Sequence, residues 1–371
     1  MPARTPVRVV CAPAPEATDE VRRAWDRHEA VLLVDPDAPA PDARRQLDAL
    51  APDLPVAPGV AAIVATSGTA GEPRGVELTF DGLRASAEAV GGALGVTDAD
   101  RWLCCLPVHR VAGLAVLARS WASGVPVTVL PRFDVEAFAW AAAYSSVTLV
   151  SLVPTMARRL LDAGVDLSGR FRHVLLGGGP VRADLPGTPT YGLTETWGGV
   201  VHDGRPLEGV ELTIGDDAEV LVRGPMVMRR YRNDQAATAA AFTDDGRLRT
   251  GDAGRIGADG RLEVVDRLRD LVITGGVNVS PTEVETVLAD HPDVADVGVA
   301  GAPDPEWGER VVAYVVAADP ISAPTLEALR SFAAERLTPA KLPRQLVLVE
   351  SLPRGPGGKL ARRLLSVAAE R

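Results

Sequence analysis

Apolar residues recur in this chain in two rhythms. Short runs of mostly branched aliphatic residues predict strands at 31–34, 60–65, 101–106, 125–130, 147–153 and 173–176. Between them Leu83, Ala87, Val90 and Leu94 repeat at helical spacing, and 111–122, 135–144 and 155–163 carry the same period. Gly164 closes the last of these, as a residue free to turn left-handed at a helix end should. Continuous apolar strands alternating with helices predict a buried, largely parallel sheet. The Pro/Ala/Asp-rich stretch 35–58 reads as loops and linkers.

From about Gly209 the rhythm shortens. Segments 210–214 and 219–223, separated by Gly215-Asp216-Asp217-Ala218, predict a β-hairpin with further short strands after it. A last stretch has a helix at 281–289, strands at 294–299 and 311–316, a helix at 326–337 and a strand at 345–349. A chain of 371 residues exceeds one ordinary domain. The fold class expected is therefore α/β: a large N-terminal domain (1–266) of mostly parallel sheet layered with helices, plus a β-rich subdomain, and a small α+β C-terminal domain (267–371).

Composition narrows the partners. The net charge of −10 leaves no basic face for nucleic acid. No apolar run reaches membrane-spanning length, and 1–10 lacks a signal-peptide core. Three cysteines (Cys11, Cys104, Cys105), two of them adjacent, do not make a disulfide framework, so a reducing cytoplasm is expected. Cys104 and Cys105 read as core residues of a strand. Of 39 basic residues only Lys341 and Lys359 are lysines. A surviving lysine suggests a place where arginine's planar fork cannot replace a compact ammonium, and Lys359 sits in the glycine-rich run Pro353-Arg354-Gly355-Pro356-Gly357-Gly358-Lys359.

Several segments carry chemistry. Thr66-Ser67-Gly68-Thr69-Ala70-Gly71-Glu72-Pro73-Arg74-Gly75 follows an apolar strand, with hydroxyls, glycines and a cation suited to wrapping phosphate oxygens. Gly177-Gly178-Gly179-Pro180 would let a flat ring approach the backbone. Tyr191-Gly192-Leu193-Thr194-Glu195-Thr196 combines an aromatic face, hydroxyls and a carboxylate able to hold magnesium. Thr250-Gly251-Asp252 offers a carboxylate to a pair of ribose hydroxyls. His109 and Arg110 could neutralise an acid. Taken alone, each also fits a plain role: a turn, a core tyrosine, a solvated charge.

In order, these segments resemble the adenylate-forming superfamily of acyl-CoA ligases, luciferases and peptide-synthetase adenylation domains, from about Val60 to the C-terminus. The matching runs are TSGTAGEPRG, GGGP, YGLTET, RTGD, DRLRDLVITGGVNVSPTEVE and PRGPGGK. The resemblance implies that a carboxylate attacks the α-phosphate of ATP, giving an acyl-adenylate from which coenzyme A displaces AMP. It places Thr66, Ser67, Gly68, Thr69, Gly71 and Arg74 at the β/γ-phosphates. Gly178, Gly179, Pro180, Tyr191 and Gly192 fall at the adenine, and Asp252 and Arg267 at the ribose. Thr194 would contact the α-phosphate, Glu195 would hold Mg2+, and Lys359 would bridge carboxylate and α-phosphate. Arg269 occupies the hinge near 267–270, about which a mobile C-terminal domain would turn, and Gly275, Gly276 and Asn278 would then face coenzyme A.

The chain departs from the pattern in carrying Arg74 where lysine is usual and Arg269 where aspartate or lysine is usual. Little precedes Val60, which implies a shortened N-terminal subdomain. With LPVHRVAGLAVLARS, SLVPTMARRLL and YGLTETWGGVVHDGRPLEGVEL, that looks like the compact o-succinylbenzoate–CoA ligases of menaquinone synthesis. That acid has a second carboxylate, which His109 or Arg110 would neutralise, with Ser151 and Thr155 lining the same pocket. The implied partners are a small carboxylic acid, ATP and coenzyme A, and a homodimer is an assembly the sequence allows. Two alternatives stay open: a CoA ligase for another acid, and a stand-alone adenylation enzyme loading a carrier protein.

Overall fold

The computed structural model describes residues 5–67, 73–354 and 360–365. Gly68, Thr69, Gly71 and Lys359 lie outside the described residues. The chain divides into two units: Met1–Thr213 with Leu221–Thr250 and Ile256–Leu262, and Ile214–Val220 with Gly251–Arg255 and Glu263–Arg371.

In the first unit a five-stranded sheet runs in chain order: Val7–Val10, Ala30–Leu33, Val60–Ser67, Pro73–Thr79 and Arg230–Tyr231. The first three are parallel, and the last two turn antiparallel. A seven-stranded sheet has the order Arg205–Pro206, Gly198–His202, Thr188–Leu193, His173–Leu176, Leu149–Leu152, Trp102–Cys104, Val127–Val129. It is parallel from Thr188–Leu193 onward. Fully buried Leu32, Ile63, Leu103 and Val150 show why these strands read as unbroken apolar runs. Side-chain caps start two of the helices. Thr79 accepts from Gly82 N (3.0 Å) to start Phe80–Leu94, and Asp134 accepts from Ala137 N (2.9 Å) to start Val135–Tyr144. Gly164, at φ +79°, follows Pro154–Asp162.

A further sheet has the order Glu211–Ile214, Glu219–Arg223, Leu248–Ile256, Leu262–Arg267, so the expected hairpin is present. In the second unit, Val272–Thr274, Val277–Val279, Val294–Asp304, Gly308–Ala317 and Gln345–Leu348 form one sheet. Helices Pro281–Leu288 and Leu326–Ala334 bury Val284, Leu288, Leu329 and Ala333 against its Val299, Val311, Ala313 and Val315. The α/β class holds: largely parallel sheet with helices, then short antiparallel strands, then a small α+β part.

One reading is corrected. Residues 35–58 are not all linker, because Ala40–Leu50 is a helix. Pro39 precedes it and Pro41 sits in its first turn, where a missing N–H costs nothing. Its apolar face, with Leu47 and Leu50 packed in the core, repeats at helical spacing from Ala43, a period masked by the prolines and aspartates around it. Two elements ahead of it, Val7–Val10 and Ala14–Asp26, also went unread. Among the described residues no helix is long and apolar enough to cross a membrane.

Arg172 fixes the mouth of the seven-stranded sheet. Its Nη1 and Nη2 donate to the carbonyls of Leu94 and Gly95 (2.9 and 3.1 Å), and Nε and Nη2 grip Asp100 (3.0 and 2.6 Å). Burial alone would raise the Asp100 carboxyl. Hydrogen bonds from Arg172, then Thr97 and Thr148, outweigh it and hold the pKa at about 2. A depressed folded-state value stabilises above the ordinary carboxylate pKa and is lost below it. Between pH 4 and pH 2 the native state should therefore lose about 2 kcal/mol through this group. Asp100→Asn should flatten that part of the stability–pH curve, and equal acid sensitivity in both proteins, by urea unfolding, would show that Asp100 does not carry it.

Candidate active site

The hydroxyl- and glycine-rich segment is framed by a β-hairpin rather than a strand–loop–helix. Val60–Ser67 pairs antiparallel with Pro73–Thr79, Thr66 opposite Arg74 and Ser67 opposite Pro73. Thr66 Oγ1 donates to Arg74 O at 3.3 Å. Gly75 is glycine for space: a Cβ there would lie 2.6 Å from Leu50 Cδ2 and 3.0 Å from Ile63 Cγ2.

Arg230–Tyr231 lies along the outer edge of this hairpin, and it brings the first set of site residues together. The Arg74 guanidinium sits 4.7 Å from the centre of the Tyr231 ring, with Nε 3.6 Å from Asp234 Oδ2. The Tyr231 hydroxyl donates to Glu195 Oε1 at 2.8 Å. Burial, then the Glu195 charge, pushes the phenol pKa up, so it stays a donor. Glu195 and Thr194 occupy a single 3-10 turn, Thr194–Thr196. Buried Thr196 organises it, accepting from Leu193 N (2.9 Å) and donating to Gly198 O (2.7 Å). Trp197 follows at φ +54°, unusual for so bulky a residue, its indole N–H held by Thr79 O at 3.1 Å.

The glycines separate by cause. Gly192 is required by backbone contact, since a Cβ would come 1.8 Å from Gly198 O. Gly177 is crowded by Thr190 Oγ1 at 2.6 Å, and Gly178 adopts φ +81°. At Gly179 a Cβ would meet nothing within 4 Å, and Gly178, Gly179 and Pro180 are all exposed. That leaves Gly179 the one member of the run without an internal reason for its identity. Tyr191 is half-buried in the adjoining strand Thr188–Leu193.

The second unit brings Asp252 and Arg267 together, Oδ1 to Nε at 2.8 Å, with Asp252 buried. Gly275 and Gly276, at φ +56° and +77°, make the two-residue turn between Val272–Thr274 and Val277–Val279, a pair of positive φ values that favours glycine. The Trp307 ring fills the space over Gly275 and stacks on Arg344 at 4.0 Å. Asn278 is exposed in the same hairpin, and exposed Arg269 lies 3.8 Å from Asp270.

The expected acid-binding group is scattered. His109 Nε2 is 3.5 Å from Asp35 Oδ2; burial lowers its pKa and Asp35 offsets part of that. Arg110 and Thr155 are exposed. Ser151 instead accepts from Arg119 Nη1 at 3.5 Å. Arg119 was not foreseen. It is 7% exposed, lies 5.4 Å from the Trp102 ring centre, and its Nε has no protein partner. Burial brings its pKa down to about 10, so it remains cationic at neutral pH. Among the described residues no carboxylate pairs with it. Buried His202 has both ring nitrogens unpartnered, and burial, then the charge of Arg119, lowers its pKa to about 4. A charge inside the otherwise apolar helix Val111–Ser123 was the available signal for Arg119. Nothing local marks Tyr231.

A hairpin flanking the hydroxyl-rich segment, an acidic turn behind a tyrosine donor and an exposed glycine run stand at the positions expected of a nucleotide-dependent activating enzyme. The AMP-binding enzyme family model matches residues 5–232 and the AMP-binding enzyme C-terminal domain model matches 283–359, and the chain belongs to this family. The 2-succinylbenzoate–CoA ligase of Bacillus subtilis (strain 168) is 37% identical over 338 residues, covering 83% of this chain and 69% of the relative. That of Listeria monocytogenes (EGD-e) is 36% identical over 327 residues, covering 82% and 69%. The o-succinylbenzoate CoA synthetase structure from Bacillus subtilis in complex with the acyl-adenylate intermediate superposes with TM-score 0.87 at 30% identity, covering 98% of this chain and 88% of that one. The same enzyme with ATP and magnesium gives 0.86 at 29%, covering 98% and 90%.

The glycines yield a paired prediction. Gly192→Ala should destabilise the fold by about 3 kcal/mol or more, because backbone must move. Gly179→Ala should stay within about 0.5 kcal/mol in urea unfolding while weakening AMP binding by calorimetry. Unchanged AMP affinity in the second variant would remove Gly179 from the nucleotide site.

Proposed function

We propose that this chain is an ATP-dependent acid–thiol ligase that activates o-succinylbenzoate as its acyl-adenylate and transfers the acyl group to coenzyme A. The observation that carries the dicarboxylic substrate is Arg119. A buried guanidinium without a counter-ion is costly unless an anion joins it. The carboxylate remote from the reacting one supplies that anion, with Ser151 beside it and neutral His202 able to donate one N–H. This moves the second-carboxylate site from His109 and Arg110 to Arg119.

In the first half-reaction the hairpin at Thr66, Ser67 and Arg74, with Gly68, Thr69 and Gly71, takes the β/γ-phosphates. Gly179 and Tyr191 take the adenine, and Asp252 with Arg267 the ribose. Thr194 donates to the α-phosphate. Among the described residues Tyr231 bonds Oε1 of Glu195, and Glu195 would hold a magnesium ion through Oε2. Bound there, magnesium would supply charge neutralisation at the phosphates. Lys359 stabilises charge building between carboxylate and α-phosphate. In the second half-reaction the segment around Arg269 acts as the hinge, and Gly275, Gly276 and Asn278 meet coenzyme A.

ATP–pyrophosphate exchange over a panel of acids, followed by thioester assay with free coenzyme A or a carrier protein, tests the assignment. Exchange with another acid but not o-succinylbenzoate would overturn the substrate, and a thioester made only on a carrier would overturn the acceptor. Arg119→Met should raise KM for o-succinylbenzoate by roughly 10- to 100-fold, the worth of one charge-assisted hydrogen bond. KM for ATP should stay unchanged. An equal rise for a benzoate lacking the second carboxylate would place Arg119 elsewhere in the mechanism.

A further inference from the structure

The described residues on either side of the run that ends at Lys359 are both bonded to one strand, Val294–Asp304. On the near side, Arg354 Nη2 meets Asp296 Oδ2 at 2.6 Å. Arg354 and Leu360 then face each other across a single antiparallel bridge, and Ala361 N donates to Pro353 O at 2.8 Å. On the far side stands Arg362, three residues past Lys359. Its Nε donates to Val299 O at 2.8 Å, and its Nη2 meets Glu285 Oε1 and Oε2, each at 2.8 Å. Its Nη1 lies 3.6 Å from Asp270 Oδ2, in the turn that also carries Arg269. Glu285 is fixed in turn, accepting from Val299 N at 2.7 Å.

Apolar contact would be enough to hold this segment to the unit. Leu365 is fully buried with Val312, Tyr314 and Leu352, and Leu360 packs on the same cluster. A side chain at Gly298 would come 3.1 Å from Leu360 Cδ2 and 3.3 Å from Leu365. A largely buried ion pair adds little net stability to such an anchor, because desolvation offsets most of the attraction. What it adds is geometry. Two nitrogens of one planar guanidinium bonded to a strand carbonyl and a carboxylate, with the third 3.6 Å from a second carboxylate, leave Arg362 one orientation, which lysine could not reproduce.

We propose that Arg362 is a positioning residue for the adenylation half-reaction. By fixing the chain at 360–362 it limits where Lys359 can be presented, and through Asp270 it ties that placement to the turn at 268–270. The inference rests on the role given to Lys359 above. Displacing a reacting group by about 1 Å can cost on the order of 100-fold in rate, so the expected effect lies in kcat and in one half-reaction.

The test uses the full chain with Arg362→Gln, Arg362→Lys and Glu285→Gln, each assayed for ATP–pyrophosphate exchange and for thioester formation from supplied acyl-adenylate. Arg362→Gln should lower kcat for exchange by at least about tenfold, with KM for ATP and acid within about threefold. Thioester formation should stay within about twofold, and Arg362→Lys should not rescue exchange. Wild-type exchange in Arg362→Gln, or equal loss of both half-reactions, would overturn the proposal. Should Arg362→Gln not fold, the same split in Glu285→Gln decides. Lys359→Ala serves as the control: if it keeps exchange, the role of Lys359 fails, whatever Arg362 does.

Discussion

Glu77 and Arg232 form the interaction on which the nucleotide-facing part of the first unit depends. Glu77 is wholly buried in Pro73–Thr79, the strand that follows the hydroxyl-rich segment in sequence. Its carboxylate takes Arg232 Nη1 at 3.1 Å and Arg230 Nε and Nη2 at 2.8 and 3.2 Å. Arg232 then reaches back to the end of Ala40–Leu50, with Nε on Leu50 O (2.5 Å) and Nη2 on Ala51 O (2.8 Å) and Leu54 O. One guanidinium thereby closes a helix terminus, neutralises a buried acid and seats the strand that carries Tyr231. Removing the Glu77 charge would leave buried Arg232 with backbone carbonyls and no carboxylate, at a cost of about 3–5 kcal/mol. Removing Arg232 would leave Glu77 held by Arg230 alone. Tyr231 would lose its place between Arg74 and Glu195 in either case.

That dependence explains what could be read from the sequence and what could not. Val135–Tyr144 and His173–Leu176 were legible to the residue, because the first opens on an Asp cap and the second is an unbroken buried run. Glu195 and Thr194 were legible as chemistry because the motif is local, six residues long. Tyr231 was not. Its role exists only because Arg230–Tyr231 pairs with Pro73–Thr79 across some 150 positions of chain, at Glu77 and Val76. The same limit applied to the acid pocket. His109 and Arg110 are adjacent in sequence and looked like a cluster, yet one meets Asp35 and the other is exposed. Arg119 and Ser151 meet only because helix Val111–Ser123 packs against Trp102–Cys104, the strand beside Leu149–Leu152. Helix Ala40–Leu50 failed for a different reason: Ala43, Leu47 and Leu50 do repeat at helical spacing, but within a stretch whose prolines and aspartates read as loop.

The scarcity of lysine also reads differently on the folded chain. Replacement of lysine by arginine is not confined to places where any positive charge would serve. Arg172, Arg232 and Arg362 each bond a carboxylate and at least one backbone carbonyl at once, a task for a planar fork and not for a point charge. Lys341 holds Glu283 through one contact of 2.6 Å, so survival as lysine does not by itself mark a catalytic group. Saturation is the better criterion. The structural arginines use their donors on protein acceptors, and half-buried Arg22, whose Nε is unpaired, still reaches Ser120 at 2.6 Å. Arg119 is the exception, with one bond of 3.5 Å for a buried charge. A guanidinium so placed carries a desolvation cost that the described residues leave largely unmet, and a carboxylate would answer its charge as well as its donors.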